Sequence, residues 1–250
     1  MSKVIDGASA SPAPRERPVY CARIERIFDH TADTRSLFLR MVEAAAPKYV
    51  PGMFISISIP LTNETRVRPY TIASSPEDGE PLEICFNRVP GGVGVEWLFE
   101  RAVGDTLTFT GPFGAFTLDR LSAQEVVFIA EGTAIAPIRP MVRRVLAQRS
   151  ASSIELLYAA DSPDHILYRS EIESWQSDHR QFGFATLIEG EGRESLDARL
   201  FEEVERRWVK ADTNRERQFY VCGIGAGVLK LRELLRGAGY ERRAVRYEKW

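Results

Sequence analysis

Cysteine and histidine are scarce in this 250-residue chain, with three of each. Cys21, Cys85 and Cys222 stand 64 and 137 residues apart, so there is no Cys-x-x-Cys pair and too few thiolates for an iron-sulfur cluster. His30, His165 and His179 are equally scattered, which leaves a structural or catalytic metal site without support. No apolar run approaches the roughly 18 residues of a membrane-spanning helix. The N-terminus also lacks the apolar core of a secretion signal, so a cytoplasmic location is the expectation. Charge of one sign is missing too. The 33 basic and 35 acidic residues leave a formal charge of -2, and no global field recruits nucleic acid or an anionic membrane. Any acidic ligand must be held locally.

What the chain does have is two halves with different apolar periods. Residues 1–17, rich in Ala, Ser and Pro, read as a flexible leader, with order expected from near Pro18. From residue 18 to about 120 apolar residues alternate: Leu37, Leu39 and Met41; Ile55, Ile57 and Ile59; Leu107 and Phe109. Such alternation predicts half-buried antiparallel strands, and the breaks "DHTADT", "SSPEDGEP" and "VPGGVG" suit a small β-barrel. One short helix is expected around Val95 to Arg101. From residue 124 to 250 continuous apolar runs ("EVVFIA", "IELLYAA", "QFGFATLI", "RQFYVCG") alternate with helix-like segments, which predicts an α/β domain with a parallel sheet. Leu196, Leu200, Phe201, Val204 and Trp208 recur at helical spacing, as do Val228, Leu231, Leu234 and Leu235 before Gly237 and Gly239. A last strand is expected over Arg243 to Tyr247. There is no internal repeat.

An open parallel sheet binds ligands at the carboxyl ends of its strands, where amides and helix N-termini attract phosphate. Two such ends stand out. In "FIAEGTAIAPIRPM" a strand breaks at Gly132 and Thr133 before a helix whose first turn must begin near Pro137 if Pro137 and Pro140 are both to be tolerated. That turn is either a pyrophosphate cradle or an ordinary connection. In "FYVCGIGAGVLKL" Cys222 closes a buried strand ahead of Gly223, Gly225 and Gly227, and it is either a small core residue or part of a site. In the barrel half, "RPYTIAS" puts Arg68 and Tyr70 on one strand face and Thr71 on the other. Arg offers a fork for phosphate, Tyr a flat surface for an aromatic ring. "VPGGVGVEWL" offers the Gly91 and Gly92 amides ahead of a helix, a second anion cradle or a plain turn.

Taken in order, these segments resemble the ferredoxin-NAD(P) reductase family, in which a flavin-binding antiparallel barrel precedes a nicotinamide-binding Rossmann-like domain. The resemblance runs from about Pro18 to Trp250. Arg68, Tyr70 and Thr71 match its Arg-x-Tyr-Ser/Thr signature. It implies that Arg68 holds the FAD pyrophosphate, Tyr70 stacks on the isoalloxazine and Thr71 hydrogen-bonds near the hydride-accepting nitrogen. The segment Gly91, Gly92, Val93 and Gly94 is similar to the second flavin element, and "GPFG" (Gly111 to Gly114) to a barrel-closing segment. "EGTAIAP", with Gly132 and Thr133, resembles the nucleotide turn, and "CGIGAG", with Cys222 and Gly223, the Cys-Gly motif beside the nicotinamide. The closing "VRYEKW" matches plant-type members that end in Glu-x-Tyr. That match implies Glu248 near the hydride-transfer site with Thr71 and Cys222, and Trp250 over the flavin until nicotinamide displaces it. Packing of Trp250 between the domains is the other reading.

The departures carry information. Glu131 and Ala134 occupy family glycine positions and crowd the nucleotide turn. Gly94 replaces a Ser or Thr that contacts flavin phosphate, and Gly227 replaces a common Met. Leu187 and Ile188 stand where NADP-reading members have a Ser-Arg pair, and Asp161 stands where a bacterial subgroup has Arg. Arg193 remains as one phosphate partner, and NADH is favoured over NADPH. The implied function is a FAD-dependent monomer that takes hydride from NAD(P)H and passes electrons to a separate carrier such as a ferredoxin. Alternatives are a reductase of free flavins or ferric chelates, and a flavin-binding sensor without catalysis.

Overall fold

The computed structural model describes residues 18–43, 45–79, 81–118, 125–190, 195–211, 213 and 215–250. The expected leader over residues 1–17 and Arg193 lie outside the described residues. In the first half, β1 (Val19–Asp29), β2 (Thr34–Met41), β3 (Phe54–Pro60), β4 (Thr65–Thr71), β5 (Leu82–Asn87) and β6 (Thr106–Phe113) form one antiparallel sheet in the order β4-β3-β6-β1-β2-β5. A bridge from Ile72, just past β4, to Ile84 on β5 brings the free edges together, so the sheet curls into a barrel. The alternating residues point inward: Leu37, Leu39, Ile55, Ile57, Ile59, Leu107 and Phe109 share one buried cluster. Each such side chain contributes about 1.5–3 kcal/mol by leaving water. A helix between β5 and β6, α1 (Val93–Phe99), inserts Val95 and Leu98 into the same cluster.

In the second half, β7 (Glu125–Glu131), β8 (Ser153–Ala160), β9 (Phe182–Ile188), β10 (Gln218–Gly223) and β11 (Val245–Lys249) are parallel, in the order β11-β10-β7-β8-β9. Helices α2 (Ile135–Gln148) and α3 (Arg169–Asp178) cover one face, α4 (Leu196–Glu205) and α5 (Gly227–Gly237) the other. Val126, Phe128 and Ala130 pack with Ile138 and Ile172, while Val127 and Ile129 pack with Leu200 and Leu231. With both faces covered, the central strand β7 runs apolar without a break from Val126 to Ala130, and no alternation survives there.

Four boundaries correct the sequence expectation. α1 begins at Val93 rather than Val95 and ends at Phe99, because the Gly92 carbonyl already accepts from the Val95 and Glu96 amides. α2 begins at Ile135, not near Pro137: a single turn over Gly132–Ala134 hands its carbonyls to the Ile135 amide. Pro140 therefore sits inside the helix, where it gives up one intrahelical bond and is buried instead. The last strand is Val245–Lys249 rather than Arg243–Tyr247, since Arg242–Ala244 form a short turn. Glu248 thus becomes a strand residue. The helix read through Trp208 ends at Glu205 and continues as a wider turn over Arg206–Lys210, with Trp208 still buried.

Side chains from both halves tie the barrel to the sheet. Arg139 of α2 donates from Nη1 to Glu83 of β5 at 2.8 Å and to the Ala73 carbonyl at 2.9 Å. Thr133 Oγ1 donates to Asn87 Oδ1 at 3.1 Å, His165 Nε2 lies 3.1 Å from Asp33 Oδ1, and Arg144 reaches Glu77 at 2.9 Å. Arg143 pairs with Asp78. Exposed pairs of this kind contribute about 0–1 kcal/mol each. The Arg139–Glu83 pair, by contrast, is buried, with side-chain exposures of 13% and 4%.

Candidate active site

A cleft of about 550 Å³ opens where the barrel meets the carboxyl ends of β7 and β11. β4 contributes Arg68, Tyr70 and Thr71 to its walls. The start of α1 contributes Gly91, Gly92, Val93 and Gly94, and the second half contributes Thr133, Glu248 and Trp250. Residues from four separate sequence segments therefore share one surface. The structure places Gly132 at the adjoining turn, with φ +54 and nothing within 4 Å of where a Cβ would stand. Such a backbone conformation suits glycine, and the turn stays open.

Local geometry explains several wall positions. Tyr70 stands edge-on to Phe86 at 5.5 Å, and burial pushes its hydroxyl up to about 12, only partly offset by Arg68. Tyr70 is a neutral ring at working pH. Arg68 is exposed, and its Nη1 donates to the Val67 carbonyl at 3.0 Å. Gly92 keeps clear of the Val89 carbonyl, which would lie 2.9 Å from a Cβ. At Gly94 a Cβ would stand 2.7 Å from Ile59 Cδ1 and 3.2 Å from Arg68 Cγ. Ile59, and behind it the stem of Arg68, therefore take the room that a Ser or Thr would need.

The C-terminus is pinned. The Trp250 amide donates to the Gly223 carbonyl at 3.0 Å and the Gly225 amide to the Trp250 carbonyl at 3.3 Å, so the closing residue prolongs the β10–β11 ladder. Its ring stays 39% exposed, an apolar surface offered to the cleft. In the same ladder Cys222 lies beside Glu248. Burial raises the Glu248 carboxyl above its usual range, against a hydrogen bond with Trp250 that lowers it. Thr71 and Glu248 share the first cleft. Cys222, the ladder neighbour of Glu248, lines an adjoining second cleft of about 440 Å³ with Gly223, Glu131 and Asp197.

The sequence reading missed Asn87, Phe86 and Lys249, all of which line the first cleft. Lys249 was detectable from its place between Glu248 and Trp250. The Asn87–Thr133 hydrogen bond was not, because its partners are 46 residues apart in different halves. Cys85 also lines the cleft, but burial pushes its thiol up to about 12, and burial pushes Cys222 well above its ordinary value. Cys21 is exposed. One thiol per native chain is expected to react promptly with a disulfide reagent at neutral pH, and three after unfolding. Prompt labelling of Cys85 or Cys222 in the native protein, read by mass spectrometry, would contradict this burial.

Residues 22–118 match the family described as Oxidoreductase FAD-binding domain, and residues 128–229 that described as Oxidoreductase NAD-binding domain. Ferredoxin–NADP reductase B of Sorangium cellulosum is 30% identical over 236 residues, covering 92% of this chain and 96% of that protein. The chain belongs to the ferredoxin-NAD(P) reductase-like family. This reductase-like chain is also 26% identical to the glycine betaine monooxygenase reductase subunit of Pseudomonas aeruginosa, across 89% of its own length and 62% of the relative's. It thus spans about three fifths of that longer protein. In fold it is similar to a ferredoxin NADP+ reductase from Neisseria gonorrhoeae solved with FAD and NADP, with a TM-score of 0.79, 16% identity, and coverage of 94% of this chain and 99% of that one. Among the described residues no helix is long and apolar enough to cross a membrane.

Proposed function

We propose that this flavin-dependent oxidoreductase oxidises NADH in the cleft between its halves and reduces a separate one-electron carrier such as a ferredoxin. The observation that carries the reading is the convergence of Arg68, Tyr70 and Thr71, the Gly91–Gly94 helix start and the C-terminal Glu248 and Trp250 on one surface. FAD, when bound, supplies the acceptor for hydride and the source of single electrons. The residues present fit it: an exposed guanidinium at Arg68, open space at Gly91 with nothing within 4 Å of where a Cβ would stand, and glycines at 92 and 94 where a Cβ would crowd the wall. Arg68 would hold its diphosphate, Tyr70 would pack on its ring system, and the Thr71 hydroxyl would hydrogen-bond to it. Trp250 would cover the ring from the second half and yield its place to nicotinamide. Glu248, with its raised carboxyl, can hold a proton beside this position.

The names of two relatives support an NADP-linked enzyme, whereas Asp161 and the apolar Leu187 and Ile188 favour NADH, because Asp161 would repel an added phosphate. We favour NADH, and a large NADPH preference in kcat/KM would reverse that choice. The missing hydroxyl at Gly94 favours one alternative, a reductase of free flavins or ferric chelates. Flavin lost on gel filtration, with NADH oxidation kept when flavin is added back, selects it. The test of the proposal is anaerobic addition of NADH to the purified yellow protein. The visible flavin band is expected to bleach, and ferricyanide or ferredoxin to be reduced in turn. A colourless protein that refuses FAD, or a yellow one that never bleaches, contradicts it.

A further inference from the structure

Glu131 is the last residue of β7, and its Oε2 accepts a hydrogen bond from the Ile224 amide at 3.1 Å. Ile224 follows Gly223, and a Cβ on Gly223 would lie 2.9 Å from that same Oε2. The missing side chain at Gly223 thus makes room for a carboxylate of the chain itself. Amides in a glycine turn leading into a helix attract anions, and here one of them is already taken by an internal anion. Both strand ends fall within the residues that match the NAD-binding domain.

The surroundings are acidic. Asp197 of α4 lies against Gly227, with Oδ1 3.1 Å from where its Cβ would be, and Asp161 follows β8. Both push the Glu131 carboxyl up, in the direction that burial, the largest cause, already drives it, while the Ile224 amide pulls it down. Glu202 of α4 and Lys230 of α5 line the same 440 Å³ cleft, as does Cys222 with its neutral thiol. Nothing in this arrangement uses Glu131 for hydride transfer. Its position on the amide instead sets it in competition with an incoming phosphate.

We propose that Glu131 is an affinity-setting residue: it occupies the Ile224 amide in the free protein, and a pyridine dinucleotide must displace or neutralise it to bind. The inference rests on the nucleotide reading given above. It predicts a weaker dinucleotide complex than the domain would otherwise form, and a complex that tightens as the pH falls and Glu131 gains a proton. Glu131→Gln keeps the shape and can still accept from Ile224, but it removes the charge. Glu131→Gly removes the side chain.

The test is the dissociation constant of NAD+ for the full FAD-loaded protein and both variants, measured calorimetrically across the pH range just above the ordinary carboxyl value. Thermal unfolding of each variant checks that it folds. Both variants are expected to bind NAD+ roughly tenfold more tightly than the parent at neutral pH, the scale of one like-charge contact relieved near a protein surface. Their binding should also lose most of the parent's tightening toward low pH. Equal constants and equal pH slopes in all three proteins overturn the inference while leaving the nucleotide reading intact. Weaker binding by Glu131→Gln also overturns it, and makes the carboxylate a direct ligand contact. Failure of all three to bind NAD+ or NADH overturns the nucleotide reading and the inference together.

Discussion

Arg139→Ala is expected to lower the melting temperature by roughly 10 °C. Arg139 is the cation of a nearly dry cluster: Glu83 is 3% exposed and accepts from Arg139, from Ser36 Oγ at 2.7 Å and from Tyr168 Oη at 2.8 Å. Arg139 Nε also reaches Glu171 at 2.5 Å, and the guanidinium lies 4.3 Å from the Tyr168 ring centre. Removing the cation strands a buried carboxylate, which costs about 3–5 kcal/mol. In a chain of this size each kcal/mol moves the midpoint by about 2–4 °C. The double variant Arg139→Met/Glu83→Gln is expected to recover most of the loss, because Gln keeps acceptors for Ser36 and Tyr168 without a charge to strand. Calorimetry of the three proteins checks it, and a single variant as stable as the parent would show that the pair does not join the halves.

Arg68→Ala is expected to do the opposite: to spare the fold and weaken the hold on FAD that the proposal assigns to it. The guanidinium is exposed and bonds only locally to the Val67 carbonyl among its observed contacts, so its loss leaves no buried partner stranded. A diphosphate held by a bidentate, charge-assisted fork loses roughly a hundredfold in affinity when the fork is removed. Equilibrium dialysis against FAD reads the change, with the melting temperature of the flavin-free protein as the control. A variant that binds FAD as tightly as the parent would remove Arg68 from the site. Together the two arginines separate what holds the protein together from what holds its ligand.

Much of this was legible in the chain because burial writes periodicity into sequence. Ile55, Ile57 and Ile59 alternate because one face of β3 meets water, while Val126 to Ala130 run unbroken because helices cover both faces of β7. The cleft residues were found by the order of their motifs, not by any contact that the sequence displays. Pairings across the halves stayed hidden: Glu83 and Arg139 are 56 residues apart, and neither carries a local sign of the other. Pro140 misled the reading of α2, since a proline's tolerance inside a helix depends on packing that local propensity does not contain. Glu131 was visible as a misfit at a glycine position. Only the structure shows that it is satisfied by the Ile224 amide rather than crowding empty space.

The central claim is that one FAD occupies the cleft walled by Tyr70 on the barrel and by the Trp250 indole on the sheet. Trp175 and Trp208 are buried in the cores of the second half and Trp97 lies on α1, which leaves Trp250 as the indole facing that cleft. Titrating FAD into the flavin-free protein while following tryptophan emission tests the claim directly. The account predicts saturable quenching at one FAD per chain, most of it lost in Trp250→Phe. No saturation, or equal quenching in that variant, contradicts it.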